Sequence, residues 1–438
     1  IKETDNCQYM EFPLIQKTWK KGINQLDIVY PNKKFGGAYN LGVLIIYNLV
    51  NNIPNWMCNR VFLDDGKISS NLIGFTFQYE PDYFNIKGML AKSGISVEKD
   101  KRKQILFAGG PCVNANPTAL SKYMDFLVMG DAEEILPKIL DCYTEDKQKF
   151  LKDISKIPGV FVPGLNNPSC SYVKSLDDTP YPLYQPLPID VPKEYVFGNA
   201  FLLEPERGCP FVCKFCPMPS RGGVRLRSLE KIKEIIDEGI KLNKRKKVIM
   251  YTASFTHPKR KEILEYLLSK NLEFSVPSIK VELADKGFLE LIKKGGQRTL
   301  TIAPECDEEL RFSIGKRVND EQYFRFIENA NELSFETIKA YFMIGIPGQN
   351  DESIKKMCEF IIKVKTLSKA KFYVSMNPFV PKLGTIFSDY KFDESVIKKQ
   401  TKLLKSFLGK SGLRFKIQGA RQAKEEWVLA HEKEVILK

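Results

Sequence analysis

Three of the ten cysteines, Cys209, Cys213 and Cys216, fall within eight residues, directly after a predicted strand. Three thiolates on one short loop can ligate three irons of a [4Fe–4S] cluster and leave the fourth iron open to a small chelating ligand. A structural zinc site needs four ligands, usually in two pairs, and the chain has two histidines and no second cysteine pair. The spacing therefore favours an iron–sulfur loop, with zinc as the alternative.

The rest of the composition indicates an ordinary globular protein. Hydrophobic residues make up 43% and charged residues 27%. The longest apolar run, residues 41–50, is half of the roughly 20 residues that a transmembrane helix needs. The chain does not open on a signal-peptide pattern, and its other cysteines are isolated, which predicts a reducing cytoplasmic location.

The N-terminal part alternates between short apolar strands and amphipathic helices. Strands are predicted at 26–30, 61–63, 72–77, 105–107 and 126–128, and helices at 40–51 and 135–143. This alternation predicts an α/β fold, a Rossmann-like doubly wound parallel sheet over 21–160 after a short lead at 1–20. Ligands of such sheets bind at the carboxyl ends of the strands.

Seven prolines between 163 and 192 predict a linker over 161–198, because that density excludes regular helix and central strand. Alternation then restarts, with strands predicted at 201–204, 248–251, 273–278, 300–303, 340–346 and 372–376. Six βα units predict a partial (β/α)6 barrel over 199–390 with its site at the carboxyl ends of the strands. A small helical extension is predicted over 391–438.

The net charge of +14 is unevenly distributed. Residues 1–200 hold 22 basic and 22 acidic residues, which leaves 45 and 31 in the rest of the chain. A basic half can attract nucleic acid or other anionic partners. Its lysines are scattered over predicted helical faces, however, so nucleic-acid binding is not favoured.

The loop Glu204-Pro-Glu-Arg-Gly-Cys-Pro-Phe-Val-Cys-Lys-Phe-Cys216 resembles the signature of the radical S-adenosylmethionine (SAM) superfamily, and the strand ends that follow resemble it in order. One of these carries Ala303-Pro-Glu305, followed by Arg311 and Lys316. Another reads Thr252-Ala-Ser-Phe255, which departs from the Gly-Gly-Glu-like motif usual there. The resemblance implies that SAM chelates the open iron of a [4Fe–4S] cluster and is cleaved to a 5′-deoxyadenosyl radical. It implies catalytic cluster ligands at Cys209, Cys213 and Cys216, and SAM contacts at Phe215, Thr252, Ser254, Ser278, Lys280, Glu305, Arg311 and Gly345.

The N-terminal part resembles the cobalamin-binding domain of B12-dependent radical SAM proteins. The residues themselves indicate only a ligand crevice in which glycines let a bulky ligand approach, and a generic nucleotide-binding fold is the alternative. Residues 1–200 contain no histidine, so this domain cannot supply a histidine below the cobalt. Gln78 and Tyr79 are the candidates to face that side, and the alternative is a lower side that is open or holds water. The resemblance implies cobalamin contacts at Asn40, Leu41, Gly42, Gln78, Tyr79, Gly109, Gly110, Pro111, Gly130 and Glu133.

The resemblance as a whole implies a cobalamin-dependent radical SAM C-methyltransferase. It would transfer a methyl group from methylcobalamin to an unactivated carbon of a protein or peptide side chain, and the glutamine of methyl-coenzyme M reductase is the specific candidate. A flavodoxin- or ferredoxin-like electron donor is the implied partner. The alternative is a tRNA- or lipid-modifying enzyme that transfers methyl or methylthio groups. Methylthio-transferring relatives carry three further cluster cysteines, and Cys58, Cys112 and Cys142 do not occur in matching contexts.

Overall fold

A computed structural model describes residues 20–188 and 197–437. The chain divides into two compact units. One contains the residues up to 203 together with 230–249 and the segment from 432 onward, and the other contains 204–229 and 250–431. Most of the predicted N-terminal lead and residues 189–196 of the predicted linker lie outside the described residues.

The first unit is built on a six-stranded sheet, and the predicted strands are present in it. Its elements in chain order are β1 (Asn24–Tyr30), α1 (Lys34–Gly37), α2 (Leu41–Asn51), β2 (Trp56–Phe62), β3 (Leu72–Thr76), α3 (Asn85–Lys92), β4 (Ile105–Gly109), α4 (Pro111–Ala115), β5 (Phe126–Val128), α5 (Ala132–Asp141), α6 (Lys147–Ile154) and β6 (Val160–Phe161).

The strand order in this sheet is β2-β1-β3-β4-β5-β6. Strands β1 to β5 are parallel, and β6, which periodicity did not predict, pairs antiparallel with β5. The order 2-1-3-4-5 is a doubly wound arrangement, in which successive strands are added on one side of β1 and then, from β3 onward, on the other, so the strand order reverses between β1 and β3. Every residue of β3 and of β5 is buried, as expected for a parallel sheet covered on both faces.

The proline-rich segment forms neither helix nor extended strand over 164–188, and it is anchored to its own unit. Gln185 is 1% exposed, and its side chain forms hydrogen bonds with both backbone groups of Leu202. Its Nε2 donates to Leu202 O at 2.8 Å, and its Oε1 accepts from Leu202 N at 2.9 Å. Ser171 forms a β-bridge with Gly130. These bonds satisfy buried backbone groups that no ladder supplies.

The remainder of the chain alternates strands and helices as predicted. Its elements are β7 (Ala200–Leu203), β8 (Glu206–Arg207), β9 (Arg225–Leu226), α7 (Leu229–Asn243), β10 (Lys247–Met250), α8 (Arg260–Ser269), β11 (Glu273–Ser275), α9 (Lys286–Lys294), β12 (Thr299–Glu305), α10 (Glu308–Ser313), α11 (Asp320–Glu332), β13 (Thr337–Ile344), α12 (Asp351–Leu367), β14 (Lys371–Pro378), α13 (Glu394–Leu408), β15 (Arg414–Ile417) and α14 (Ala420–His431).

Asparagine or aspartate begins each main helix between 285 and 408. Their side-chain oxygens accept hydrogen bonds from the free backbone N–H groups of the first turn, and these bonds define where each helix starts. Asn319 forms a full capping box with Gln322 at α11. The other caps are Asp285 at α9, Asp307 at α10, Asn350 at α12 and Asp393 at α13.

The second unit contains a parallel sheet of order β12-β13-β14-β15. The segment of the predicted C-terminal helical extension contains α13 and α14, and it also contains β15, which extends this sheet beside β14. The strand has only four residues of mixed exposure, which leaves little apolar periodicity to detect. Among the described residues, no helix has the length and apolar character needed to cross a bilayer.

The strands of this second sheet alternate between buried and accessible residues. In β13 the even-numbered residues from Ile338 to Ile344 are buried, while Lys339 and Tyr341 are exposed. Strands β12 and β14 show the same alternation. One face of the sheet therefore packs against the helices, and the other remains accessible along its length.

Candidate active site

The loop that carries the three cysteines follows β8 and is held by backbone contacts. Gly208 has φ +96°, and a Cβ there would lie 2.2 Å from the carbonyl oxygen of Gly223, so only glycine fits. The Lys214 N–H donates to Ile314 O at 2.9 Å. The Phe215 ring packs against a buried apolar cluster that includes Ile314 and Ile346. These contacts fix the loop from both ends.

The three thiols lie near one another. Cys216 N–H donates to Cys213 O at 3.0 Å, and the Cys216 thiol interacts electrostatically with both Cys209 and Cys213. Burial raises the pKa of the Cys213 and Cys216 thiols, and ammonium groups near Cys213 oppose that rise. Metal binding would deprotonate these thiols outright.

The donor set fits a [4Fe–4S] cluster. In such a cluster each thiolate binds its own iron, so the sulfurs need not converge on one point. Within residues 20–188 and 197–437, no three His, Cys, Asp or Glu side chains form a site for a single metal ion. Three free thiols on one loop, held at Cys209, Cys213 and Cys216, are what the cluster requires.

A small cavity of about 40 Å³ lies at the ends of the strands of the second unit. Its walls include Ser254 from the loop after β10, Ser278 and Lys280 from the loop after β11, and Ala303 from β12. These elements are far apart in sequence, and the fold brings three of the predicted SAM contacts, Ser254, Ser278 and Lys280, into one wall.

Lys316 also lines the cavity and is 7% exposed. Its Nζ lies 3.0 Å from Glu305 Oε1 and donates to the carbonyl oxygen of Ala303. Burial alone lowers the pKa of Lys316, but the Glu305 carboxylate and Tyr323 raise it above its ordinary value. A charged lysine therefore persists in the wall. Glu305, which pairs with Lys316, itself has φ +70° and lies at a register shift in β12.

Lys280 and Lys316 connect the cavity to the cysteine loop. Both lysines line the cavity, and both are the ammonium groups that lower the pKa of Cys213 against the effect of burial. The Lys280 ammonium also lies 4.9 Å from the centre of the Phe211 ring in the cysteine loop. A small anionic molecule in the cavity would thus lie beside Cys213 and between two cations.

Arg311 and Gly345, two of the predicted SAM contacts, do not line this cavity. Arg311 is completely buried, and its guanidinium donates to the carbonyl oxygens of Pro304, Cys306 and Val318 and to Asp320. It therefore holds the turn after β12 in place. Gly345 has φ +78°, and its N–H lies 2.8 Å and 2.7 Å from side-chain oxygens of Gln349 and Gln400.

The loop after β10, where the sequence departs from the usual motif, is organised by Glu206. This residue is 1% exposed, and its Oε1 accepts from Thr256 N at 2.6 Å. Burial raises the pKa of Glu206, and hydrogen bonds from Thr256 and Thr252 oppose that rise. Thr252 thus faces Glu206. No role was predicted for Glu206, although it lies in the cysteine motif; the signal that sequence alone lacked was its partner fifty residues away.

The ten predicted cobalamin contacts follow β1, β3, β4 and β5 of the first unit. These four strands are neighbours, so the parallel sheet brings their carboxyl ends to one edge. Asn40 caps α2 by accepting from Val43 N at 3.0 Å, Leu41 is buried, and Gly42 is exposed. Gln78 is exposed and donates to Thr76 Oγ1 at 2.9 Å. The other contacts are Tyr79, Gly109, Gly110, Pro111, Gly130 and Glu133, and Glu133 is 7% exposed.

Two of these glycines are explained by the chain's own packing rather than by the approach of a ligand. Gly130 has φ +106°, and a Cβ there would lie 1.8 Å from the carbonyl oxygen of Ser171. Gly110 has φ +101°, and its Cβ would lie 2.7 Å from the carbonyl oxygen of Phe77. The expectation that these glycines make room for a bulky ligand is therefore not needed to account for them.

The reversal point between β1 and β3 is bridged by hydrogen bonds. Asn32 Nδ2 donates to Asp82 Oδ1 at 2.8 Å, and Asn85 Nδ2 donates to Pro31 O at 2.8 Å. Burial raises the pKa of Asp82 to about 6, and the Asn32 hydrogen bond opposes the rise. Of the ten predicted contacts at this edge, Gly42 and Gln78 are the exposed ones.

Two family models match the chain. The one described as radical SAM proteins, N-terminal, matches residues 68–163, and the radical SAM superfamily matches residues 203–361. The second match contains the cysteine loop and the residues of the cavity wall.

Relatives extend this similarity over most of the chain. An uncharacterized protein of Methanocaldococcus jannaschii is 31% identical over 405 residues, 90% of this chain and 85% of the relative. An uncharacterized methyltransferase of Pyrococcus horikoshii is 24% identical over 66% of this chain and 63% of its own length. A putative methylthiotransferase of Methanocaldococcus jannaschii is 28% identical over 61% of this chain and 59% of its own length.

Among solved structures, the crystal structure of Streptococcus suis SuiB matches with a TM-score of 0.38 at 16% identity, covering 52% of this chain and 51% of that chain. The family match over the cysteine loop and cavity, together with the relatives, leads to one assignment. This chain is a radical SAM enzyme related to methyl- and methylthiotransferases.

Proposed function

We propose that this enzyme is a cobalamin-dependent C-methyltransferase that acts on an unactivated carbon of a protein side chain. The observation that supports SAM binding beside the cluster is the pair Lys280 and Lys316. Both lysines line one cavity, and both lower the pKa of the Cys213 thiol. At about 40 Å³ the cavity has room for a group the size of a carboxylate rather than for a whole SAM molecule, so the SAM carboxylate would lie there, beside ammonium groups and next to the cluster cysteines. The cluster, when bound, supplies the electron that cleaves SAM.

The chain's own residues would bind and orient the cofactors. Cys209, Cys213 and Cys216 would hold the cluster, and Ser254, Ser278 and Lys280 would contact SAM. Lys316 would remain charged through its pair with Glu305 at 3.0 Å. Glu206 would keep the loop after β10 in position through Thr256.

The accessible face of β12 to β14 supports a bulky substrate. In register, Lys339 lies beside Tyr373 and Tyr341 beside Ser375. These side chains carry donors and acceptors that could bind a peptide backbone or amide. A protein side chain is the substrate class we propose, and the glutamine of methyl-coenzyme M reductase is the specific candidate that the resemblance indicates.

For cobalamin, the support is the edge formed by the carboxyl ends of β1, β3, β4 and β5, accessible at Gly42 and Gln78. Doubly wound sheets bind their ligands at this position. Since residues 1–200 contain no histidine, this domain would bind cobalamin without a histidine ligand to the cobalt. A flavodoxin- or ferredoxin-like protein would deliver the electron.

The second candidate is methylthio transfer, which the putative methylthiotransferase among the relatives favours. That reaction would need a further cluster. Cys58 and Cys112 are buried, and Cys142 is partly buried beside the core of the sheet.

One anaerobic experiment separates these proposals. The protein is reconstituted with iron, sulfide and hydroxocobalamin, and bound iron and cobalt are quantified. We expect about four Fe and one Co per chain. Iron without cobalt would overturn the cobalamin proposal and leave the radical SAM assignment intact, whereas about eight Fe would favour methylthio transfer.

The substrate class needs a separate measurement. We expect that deletion of the gene removes a methyl group from a protein peptide detected by mass spectrometry. A methyl or methylthio group lost from tRNA, with all protein marks retained, would overturn the proposed substrate class.

A further inference from the structure

A groove of about 800 Å³ lies between α10, α11 and α12, and it shares no lining residue with the 40 Å³ cavity. Although the chain carries a net charge of +14, the side chains along this groove are mainly acidic. Two lysines, Lys356 and Lys363, lie among six carboxylates: Asp307, Glu308, Glu309, Asp320, Glu321 and Glu359.

Helix capping explains only part of this cluster. Carboxylates in the first turn of a helix stabilise it through the helix dipole, which accounts for the acidic residues at the starts of α10 and α11. Glu359 has no such role, because it lies in the middle of α12. Asp320 is paired with Arg311 at 2.8 Å and Glu309 with Lys356 at 3.3 Å, and even so the groove holds more carboxylates than cations.

Asp307 is the independent sign of a missing partner. It is 3% exposed, and its Oδ1 caps α10 by accepting from Leu310 N at 3.2 Å. Its Oδ2 is buried without a hydrogen-bond partner among the described residues. Leaving a carboxylate oxygen buried and unsatisfied is unfavourable, and a cationic group in the groove would offset that cost.

Aromatic rings along the groove provide a second means of binding cations. The ammonium of Lys363 lies 4.0 Å from the centre of the Phe324 ring. Phe312 is 45% exposed and also lines the groove. The groove thus already holds one ammonium group against an aromatic face, with carboxylates around it.

We propose that this groove binds a lysine- or arginine-rich segment of a partner protein. Charge complementarity, the exposed Phe312 ring and a volume that admits several side chains support a peptide segment. In the part of the chain described, no three of these carboxylates form a metal site. The proposal does not depend on the reaction proposed above.

The test measures binding of a fluorescein-labelled nona-arginine peptide to the full chain by fluorescence anisotropy. Neutralising three exposed groove residues in E309Q/E321Q/E359Q should weaken binding roughly tenfold. The matched control E234Q/E238Q/E265Q removes three exposed charges from α7 and α8 and should bind as the wild type does. Equal weakening in both variants, or no binding to the wild type, would overturn the proposal.

Two further measurements distinguish a peptide site from a site for small polyamines. Lys363→Gln removes the cation that lies on Phe324 and should strengthen peptide binding roughly threefold, whereas the exposed-lysine control Lys294→Gln should not. Spermine is titrated against the bound peptide. If it binds the groove as tightly as the peptide does, the site takes small polyamines and the proposed partner is wrong.

Discussion

Two sheets of this enzyme, the six-stranded sheet of the first unit and the four-stranded sheet of the second, differ in what their side chains contact. In the first unit β3 and β5 are buried at every residue, so ligands can reach only the strand ends. In the second unit β13 and β14 bury alternate residues and leave one face accessible. The strand ends differ too. The strand ends of the second unit form a cavity, whereas in the first unit Gly110 and Gly130 pack closely against the backbone of Phe77 and Ser171.

This difference shows that similar strand–helix alternation can serve different purposes. Glycines at strand ends can admit a ligand or admit the chain itself, and the sequence pattern is the same in both cases. The following experiments test whether chemistry is confined to the strand ends of the second unit.

The largest effect is expected at the cysteine loop. Cys213→Ala should lose its cluster and all cleavage of SAM, because two thiolates cannot hold the [4Fe–4S] cluster. Iron analysis and 5′-deoxyadenosine formation measure this. Cys170→Ala, which removes an exposed cysteine of the first unit, should retain both. Full iron content in the Cys213 variant would show that the loop is not the ligand set.

The cavity wall should show the next largest effect. Lys280→Met should weaken SAM binding to the reconstituted enzyme by roughly 10–100-fold, since a charge-assisted hydrogen bond is lost. Isothermal titration calorimetry measures the affinity, with the exposed Lys286→Met as control. Unchanged affinity would place SAM elsewhere than in this cavity.

The close packing of glycines in the first unit predicts a loss of stability without any cofactor. Gly130→Ala should reduce the free energy of unfolding by about 3 kcal/mol, because its Cβ would collide with Ser171 and its φ is +106°. Gly88→Ala, in α3 with open space around it, should raise stability by about 1 kcal/mol. Urea unfolding of the cofactor-free protein compares the two. A Gly130 variant that is stable but binds no cobalamin would show that this glycine serves a ligand after all.

A pH-dependent effect of at most similar size is expected at Asp82. Burial raises its pKa from 3.8 to about 6, so the folded state binds more protons than the unfolded state between those values. Stability from this group is present below pH 3.8 and is lost as the pH rises through 6. Asp82→Asn should therefore be more stable than the wild type by up to about 3 kcal/mol at pH 7.5 and similar to it near pH 4. If the variant and the wild type were equally stable at pH 7.5 as well as at pH 4, the raised pKa of Asp82 would be contradicted.

Much of this enzyme could be predicted from local patterns. Apolar runs bounded by turn residues predict β1 to β5, and they also predict the six strands β7 and β10 to β14. The spacing of the cysteines identifies the loop that carries them. The four-residue β15 and the two-residue β6 carried too little periodicity. The alternating burial of β13 is visible in its sequence, but which face remains open depends on the elements packed against it.

The sequence by itself determined which reactive and ligating groups the protein has, because thiols, lysines and carboxylates occur at recognisable spacings. Only the tertiary structure decided which of them meet. It paired Lys316 with Glu305 beside Cys213, directed Arg311 into the core, and placed Glu206 under Thr256. The physical reason is that strand ends distant in sequence become neighbours only through the order of the strands, and that order reflects the packing of the whole chain.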